Sequence, residues 1–376
     1  MRIAMLSPEL GEVPGQPLGG VAAATEWLIR GLLMVEPSLE IHVLRVPSER
    51  EGSQDAWGDL PVHIHHMKRS RWDNQLGILK TRDVDDILTR IDPHVIHVQG
   101  HASALDGKKH RAVLTIHGIP EKDTFLRGGP LAWLKSRFVG FREGVSRHRY
   151  PHLITIADAV LEGIEPSRFE HIHRIPNAIS QGCFEPVERV ETSRPVVLQV
   201  GRIIRGKNLL GLVEALGVLK DDGVPFELHV AGPKQDGEYS RKVDERMAEL
   251  GLISQVKWLG PLSHAQLREA LRRARVLALP SFQEMAPICI AEAQAMGVPV
   301  VASRVGGIPE MITVGETGDL IDPHAVGDIV RALRPYLMNE DLALKQGQAA
   351  RQRASQYAPV SVAEATLKVY EYLANR

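Results

Sequence analysis

The stretch Pro280–Ile312, PSFQEMAPICIAEAQAMGVPVVASRVGGIPEMI, reads in succession as loop, helix, strand and glycine turn. The apolar run Val276–Leu279 precedes it as a short buried strand. Pro287 suits the first position of a helix, where its missing N–H costs nothing. Alanine, glutamine and methionine carry that helix to Gly297, a favourable C-terminal cap. Val300–Ala302 is the next buried strand. Strand, helix and strand in this order specify parallel α/β structure. Glu284 then falls at the carboxyl end of a strand, facing a helix amino end, and Glu292 lies two turns further along. Open α/β sheets bind ligands at that rim, and the free N–H groups of a helix start favour an anion such as phosphate. Two carboxylates beside an anion site suit a ligand with both phosphate and hydroxyl groups.

The same alternation runs through the chain. Strand patterns occur at Arg2–Leu6, Ile41–Val46, Val62–His66, His94–Val98, Ala112–Ile116 and Leu153–Ile156, with helical patterns at Val21–Leu33 and Leu131–Val145. The segment 185–195, EPVERVETSRP, is charged, proline-flanked and aperiodic, which reads as a linker. A second series follows, with strands near Val196–Val200, Phe226–Ala231, Val256–Leu259, Val276–Leu279, Pro299–Ala302 and Asp319–Ile321, and a last helix over Val360–Asn375. A chain of 376 residues exceeds one ordinary core, so two domains are expected. The division reads as domain 1–185, linker 186–195, domain 196–357 and a C-terminal helix 358–376 returning to the first domain. The fold class is α/β, two Rossmann-like doubly wound domains facing a cleft.

Composition excludes several function classes. A net charge of −1 argues against nucleic acid as a partner held by bulk charge. No apolar run reaches transmembrane length, and MRIAMLSPELG reads as a strand and turn, not a signal peptide. The two cysteines, Cys183 and Cys289, make no disulfide framework, so a cytoplasmic location is expected. Histidines cluster at His63, His65 and His66 and again at His171 and His173. No cysteine or carboxylate stands at ligand spacing beside them, so the expectation is no metal, with these side chains on the solvent side of edge strands.

Three glycine-bearing turns are candidate phosphate elements. Gly19 and Gly20 fall at the start of the first helix, where a phosphate can approach the backbone. Gly201–Asn208, GRIIRGKN, fits the letters GxxxxGK, yet Asn208 stands where a P-loop needs Ser or Thr for magnesium. Arg202 and Lys207 can still place two cations on a diphosphate. Gly306 and Gly307, before Glu310, form a third turn that either lines the site or only reverses the chain. His117, in Thr115–Gly118, ends a buried strand and can hydrogen-bond a hydroxyl or move a proton.

Together these elements resemble the family four retaining glycosyltransferases (GT-B type) over nearly the whole chain: the Gly-Gly loop, TIHG, IPNAI at Ile175–Ile179, VGRIIRGKN, the E-x7-E segment and VGGIPE. The resemblance implies a first domain that binds the acceptor and a second that binds a UDP- or GDP-linked sugar. It implies that Gly19 or Gly20 touches the donor phosphate through its backbone N–H and that His117 contacts the donor sugar near the reaction centre. Arg202 and Lys207 would bind the diphosphate, Glu284 the sugar hydroxyls and Glu292 the ribose. The backbone of Met285, Ala286, Pro287 and Ile288 would meet phosphate or sugar. Relatives often carry glycine and phenylalanine after the first Glu, where this chain has Met285-Ala286-Pro287. The expected reaction is transfer of a hexose-type sugar to a glycan, glycolipid or small-molecule hydroxyl acceptor, with no cofactor. A nucleotide-sugar epimerase or hydrolase of the same architecture, or a non-catalytic binder, are the alternatives. Asp83-Val84-Asp85 spells DxD but lies in a charged, helix-like stretch and reads as a solvated face. The stripe Leu131, Leu134, Phe138, Phe141 and Val145, with Lys135, Arg137, Arg142, Arg147 and Arg149, makes a basic amphipathic helix. It either packs on the sheet or lies on the inner face of a membrane.

Overall fold

A computed structural model of the chain describes residues 1–7, 10, 19–45, 57–58, 60–67, 84–100, 102, 105–118, 132–186 and 188–376. They divide into two compact units, Met1–Ala178 with Pro359–Arg376, and Ile179–Ala358.

The first unit holds strands β1 (Arg2–Leu6), β2 (Glu40–Arg45), β3 (Val62–His66), β4 (Val95–Gln99), β5 (Ala112–Ile116), β6 (His152–Thr155) and β7 (His171–Arg174). They form one parallel sheet in the order β3-β2-β1-β4-β5-β6-β7. Its described helices include α1 (Gly20–Val35), α2 (Val84–Ile91) and α3 (Ala132–Arg147). β7 escapes a hydrophobicity reading because HIHR offers one aliphatic residue and is nowhere fully buried.

The second unit holds β8 (Val196–Val200), β9 (Glu227–Ala231), β10 (Val256–Gly260), β11 (Val276–Leu279), β12 (Val300–Ser303) and β13 (Gly318–Ile321), in the order β10-β9-β8-β11-β12-β13. Its helices are α4 (Leu209–Asp221), α5 (Gly237–Glu249), α6 (His264–Arg273), α7 (Ile288–Ala295), α8 (Ile308–Met311), α9 (Val326–Met338) and α10 (Glu340–Arg353). The last helix, α11 (Pro359–Ala374), belongs to the first unit, where Val362, Tyr370 and Leu373 join the core beside Leu28 and Leu32 of α1.

The central strands VVLQV, VLAL and VVAS are buried along almost their whole length, as strands covered on both faces must be. Each fully buried Val or Leu there stabilises the unit by about 1.5–3 kcal/mol. Strand order reverses between β1 and β4 in the first sheet and between β8 and β11 in the second. Ligand crevices open outside the carboxyl ends at such points. In the second unit that places the loops after β8 and β11 side by side, and Phe282 N–H donates to the Gly206 carbonyl at 2.9 Å.

Two boundaries differ from the sequence reading. Residues 186–195, expected as a linker, fall inside the second unit. The Arg189 guanidinium donates to the carbonyls of Ala274 and Gly297, and Val190 N–H to that of Arg272. The units divide at Ala178 and Ile179. Pro287 is the N-cap of α7 and not its first helical residue, and Gly297 follows the C-cap Met296 in the left-handed conformation, φ +70°.

Candidate active site

In the second unit the Lys207 ammonium is hydrogen-bonded to the Glu284 carboxylate, with both side chains largely covered. Lys207 ends a single 3-10 turn, Arg205–Lys207, and Asn208 follows with φ +51°. Asn208 is a structural residue. Its Oδ1 accepts from Gly211 N–H at 3.2 Å, and its Nδ2 donates to the Pro323 carbonyl at 2.9 Å. Leu210 N–H is taken by the Tyr239 hydroxyl. The first turn of α4 is thus largely satisfied internally, and any phosphate here meets side-chain cations instead. Arg202 is exposed at the mouth of the same loop. By contrast, the N-cap of α7 is Pro287, whose side chain makes no capping hydrogen bond, and a helix start of this kind suits an anion.

Gly306 fixes the height of the Glu284 loop. Its φ is +50°, and a Cβ there would lie 1.7 Å from the Glu284 carbonyl oxygen. The third glycine turn is therefore part of the site's scaffold, whatever else it touches. Gly201, beside the Lys207 stem, holds φ +144°, a backbone conformation that residues with a side chain rarely adopt. On the floor of this region Gln199 and Ser281 are fully buried, and neither side chain has a hydrogen-bond partner among the described residues. Buried polar groups of this kind call for water or a ligand.

Glu292 sits in the interior turn of α7, 5% exposed, with His264 Nδ1 3.9 Å from its Oε1. Burial pushes its carboxyl up to about 7. Ionising it therefore costs the fold stability as pH rises from about 4.5 to about 7. Glu292→Gln removes that cost. The variant is expected to melt higher than the native chain above pH 7, by the equivalent of roughly 1–3 kcal/mol. Below pH 4.5, where both side chains are neutral, the difference should vanish. Melting curves across that range check this, and a variant less stable at every pH would contradict it. The neighbouring Cys289 thiol is pushed up to about 12, mainly by burial.

In the first unit His117 Nε2 is 2.6 Å from Gln99 Oε1, so Nε2–H donates and Nδ1 carries the lone pair. Gln99 Nε2 in turn lies 3.2 Å from His97 Nε2, which also meets the Thr115 hydroxyl at 2.6 Å. His97 Nδ1 meets the Tyr370 hydroxyl of α11 at 2.5 Å. His97 is wholly buried, and burial holds it neutral, down to about 3. A small cavity of about 20 Å³, bordered by His97, Gln99, Thr115, His117 and Asn177, opens beside this network. Gln99, His97 and Tyr370 are absent from the sequence reading. His97 falls there within the strand His94–Val98 and Gln99 just beyond it, and Tyr370 lies 273 positions from His97.

Gly19 and Gly20 stand exposed at the start of α1, and among the described residues no side chain is seen to cap that helix. A Cβ at Gly19 would meet nothing within 4 Å among the described residues. Asp83 and Leu131 lie outside the described residues, as does the Lys135 side chain. Asp85 is exposed in the first turn of α2. Within α3 the apolar stripe stays in solvent: Trp133, Leu134, Phe138, Phe141 and Val145 are 58, 49, 50, 74 and 47% exposed.

Residues 184–353 match the family described as glycosyl transferases group 1. D-inositol 3-phosphate glycosyltransferase of Streptomyces coelicolor is 31% identical over 207 residues, covering 52% of this chain and 45% of that protein. Its counterpart in Mycolicibacterium smegmatis is 34% identical over 219 residues, covering 56% and 49%. The chain thus aligns with about half the length of these curated relatives. Whole-chain likeness lies in the fold. Sucrose-phosphate synthase from Thermosynechococcus elongatus superposes with a TM-score of 0.81 at 18% identity, over 99% of this chain and 98% of that one. Anabaena Alr3699/HepE, in complex with UDP and glucose, gives 0.72 at 17% over 99% and 100%. The chain thus shares the two-sheet α/β fold of these structures over nearly its whole length, and residues 184–353 of its second unit are similar to the group 1 glycosyl transferases.

Proposed function

We propose that the chain is a retaining glycosyltransferase that moves a hexose-type sugar from a UDP- or GDP-linked donor to a hydroxyl acceptor in glycan, polysaccharide or glycolipid synthesis. The observation that carries this reading is the pairing of Lys207 with Glu284 at the β8–β11 switch point, with Glu292 buried behind it. Lys207 and Arg202 bind the diphosphate, Glu284 the sugar hydroxyls, and Glu292 accepts from the ribose diol. Those hydroxyl donors would stabilise the carboxylate that burial disfavours. His117, its tautomer set by Gln99, contacts the sugar. The bond from the anomeric carbon to the phosphate oxygen breaks, and a bond to the acceptor oxygen forms on the same face. The acceptor proton passes to the leaving phosphate. Charge on that phosphate is met by Lys207, Arg202 and the amino end of α7, with no metal in the step. The relatives that act on D-inositol 3-phosphate favour a polyol hydroxyl among small acceptors.

A thermal-shift screen of nucleotide-sugars tests the donor assignment, because a ligand of the folded state raises its apparent stability by about 2.7 kcal/mol at a hundred times Kd. No shift with any UDP- or GDP-sugar would contradict it. Release of nucleoside diphosphate only when acceptor is present separates transfer from epimerisation or hydrolysis. The exposed stripe of α3, with Arg137 and Arg149 also exposed, favours a second partner, an anionic membrane surface. No helix among the described residues is long and apolar enough to cross a membrane, so the contact would be peripheral. Flotation with anionic but not neutral vesicles is the expected result, and equal failure with both would remove this partner.

A further inference from the structure

The far edge of the first sheet gathers residues that the sequence keeps apart. Glu40 and His42 lie two apart on β2 and share one face. His63 of β3 stands opposite His42 in register, and His65 opposite Leu44. His42 Nε2 is 3.0 Å from Glu40 Oε1, and His42 Nδ1 is 2.9 Å from His65 Nε2. The His42 and His63 rings stack with centroids 4.7 Å apart. One ligand atom from each of Glu40, His42 and His63 lies within 4.8 Å of the other two.

We propose that Glu40, His42 and His63 bind a divalent transition-metal ion of the zinc or nickel class across β2 and β3. The donor set, one carboxylate and two imidazoles, is one that such ions take, with water filling the remaining positions. His65 engages His42 Nδ1 and so turns Nε2 toward the ion, a supporting contact of the kind that orients metal-bound histidines. Arg2 Nε donates to Glu40 Oε2 at 3.0 Å and leaves Oε1 to the site. Its charge also opposes the cation, so binding is weaker than in a closed all-anionic site. The opposite edge gives an internal comparison. His152, His171 and His173 stack there in the same way, but His171 Nε2 meets the Tyr372 hydroxyl at 3.0 Å where the first cluster carries a carboxylate. Glu40 and His42 lie toward the amino end of β2, away from the carboxyl rim, so the ion would tie the edge strand β3 to β2 and take no part in transfer.

The test is calorimetric titration of the untagged full chain with zinc chloride, after removal of metal with EDTA. One equivalent is expected to bind, to raise the melting temperature and to leave transfer rates unchanged. His63→Ala, at an exposed position, is expected to weaken binding by tenfold or more, Glu40→Gln to do likewise, and His171→Ala to leave it intact. No binding, equal binding by native chain and both first-edge variants, or loss that follows His171→Ala would overturn the proposal. Should His63→Ala fold poorly, Glu40→Gln decides alone.

Discussion

Lys207→Ala is expected to lower kcat/KM for the donor by about two decades, and by more than Arg202→Ala. A charge-assisted contact to phosphate is worth roughly 1.5–3 kcal/mol, and either substitution forfeits it. Lys207 carries a second burden. Its ammonium neutralises Glu284, whose side chain is only 11% exposed. Removing one partner of a covered pair leaves the other charge uncompensated, which costs more than the pair contributes. The variant then leaves Glu284 without its partner and free to shift out of place, which disturbs its hold on the sugar hydroxyls. Arg202, exposed and without that duty, should show the phosphate loss alone. Steady-state kinetics of the two single variants and the double variant check this. Native kinetics in the double variant would remove the diphosphate assignment.

Gly306→Ala should lower turnover by about a hundredfold while the second unit still folds. The new Cβ would sit 1.7 Å from the Glu284 carbonyl oxygen, and that atom is backbone, so no rotamer change relieves the clash. The positive φ of +50° adds about 1–2 kcal/mol of strain for any side chain. The Glu284 loop has to move by an ångström or more, and misplacement on that scale costs about two decades in rate. Nucleoside diphosphate binding should suffer less, because Glu292 and Lys207 stand on other segments. Kinetics with calorimetry on the same sample separate the two effects. A fully active alanine variant would show that the loop height does not matter.

Much of the second unit was legible because its signals are local. β8 followed by Gly201–Asn208, and β11 followed by Glu284, fall on one rim once strand order is known, and alternation in the sequence implies that order. The role of Asn208 was half legible. Its identity argued against a magnesium-binding P-loop, yet its left-handed cap and its bond to Pro323 span 115 positions. In the first unit the support of His117 was hidden for the same reason. Tyr370 reaches His97 only because α11 returns to the first unit. Residues 186–195 look like a linker by composition, but Arg189 is spent on two carbonyls far along the chain. The histidines at 63 and 65 seemed to lack a carboxylate, because Glu40 is supplied by the neighbouring strand and not by nearby sequence. Cross-strand partners are set by topology, which local patterning cannot rank.

The most direct measurement follows the anomeric proton by NMR while the enzyme, in excess EDTA, consumes an α-linked nucleoside diphosphate sugar with its acceptor. The expected result is a glycosylated product with the α configuration kept and nucleoside diphosphate formed in step with it. An inverted product, free sugar in place of glycoside, or a reaction that stops on chelation and resumes with manganese or magnesium would contradict metal-free retaining transfer.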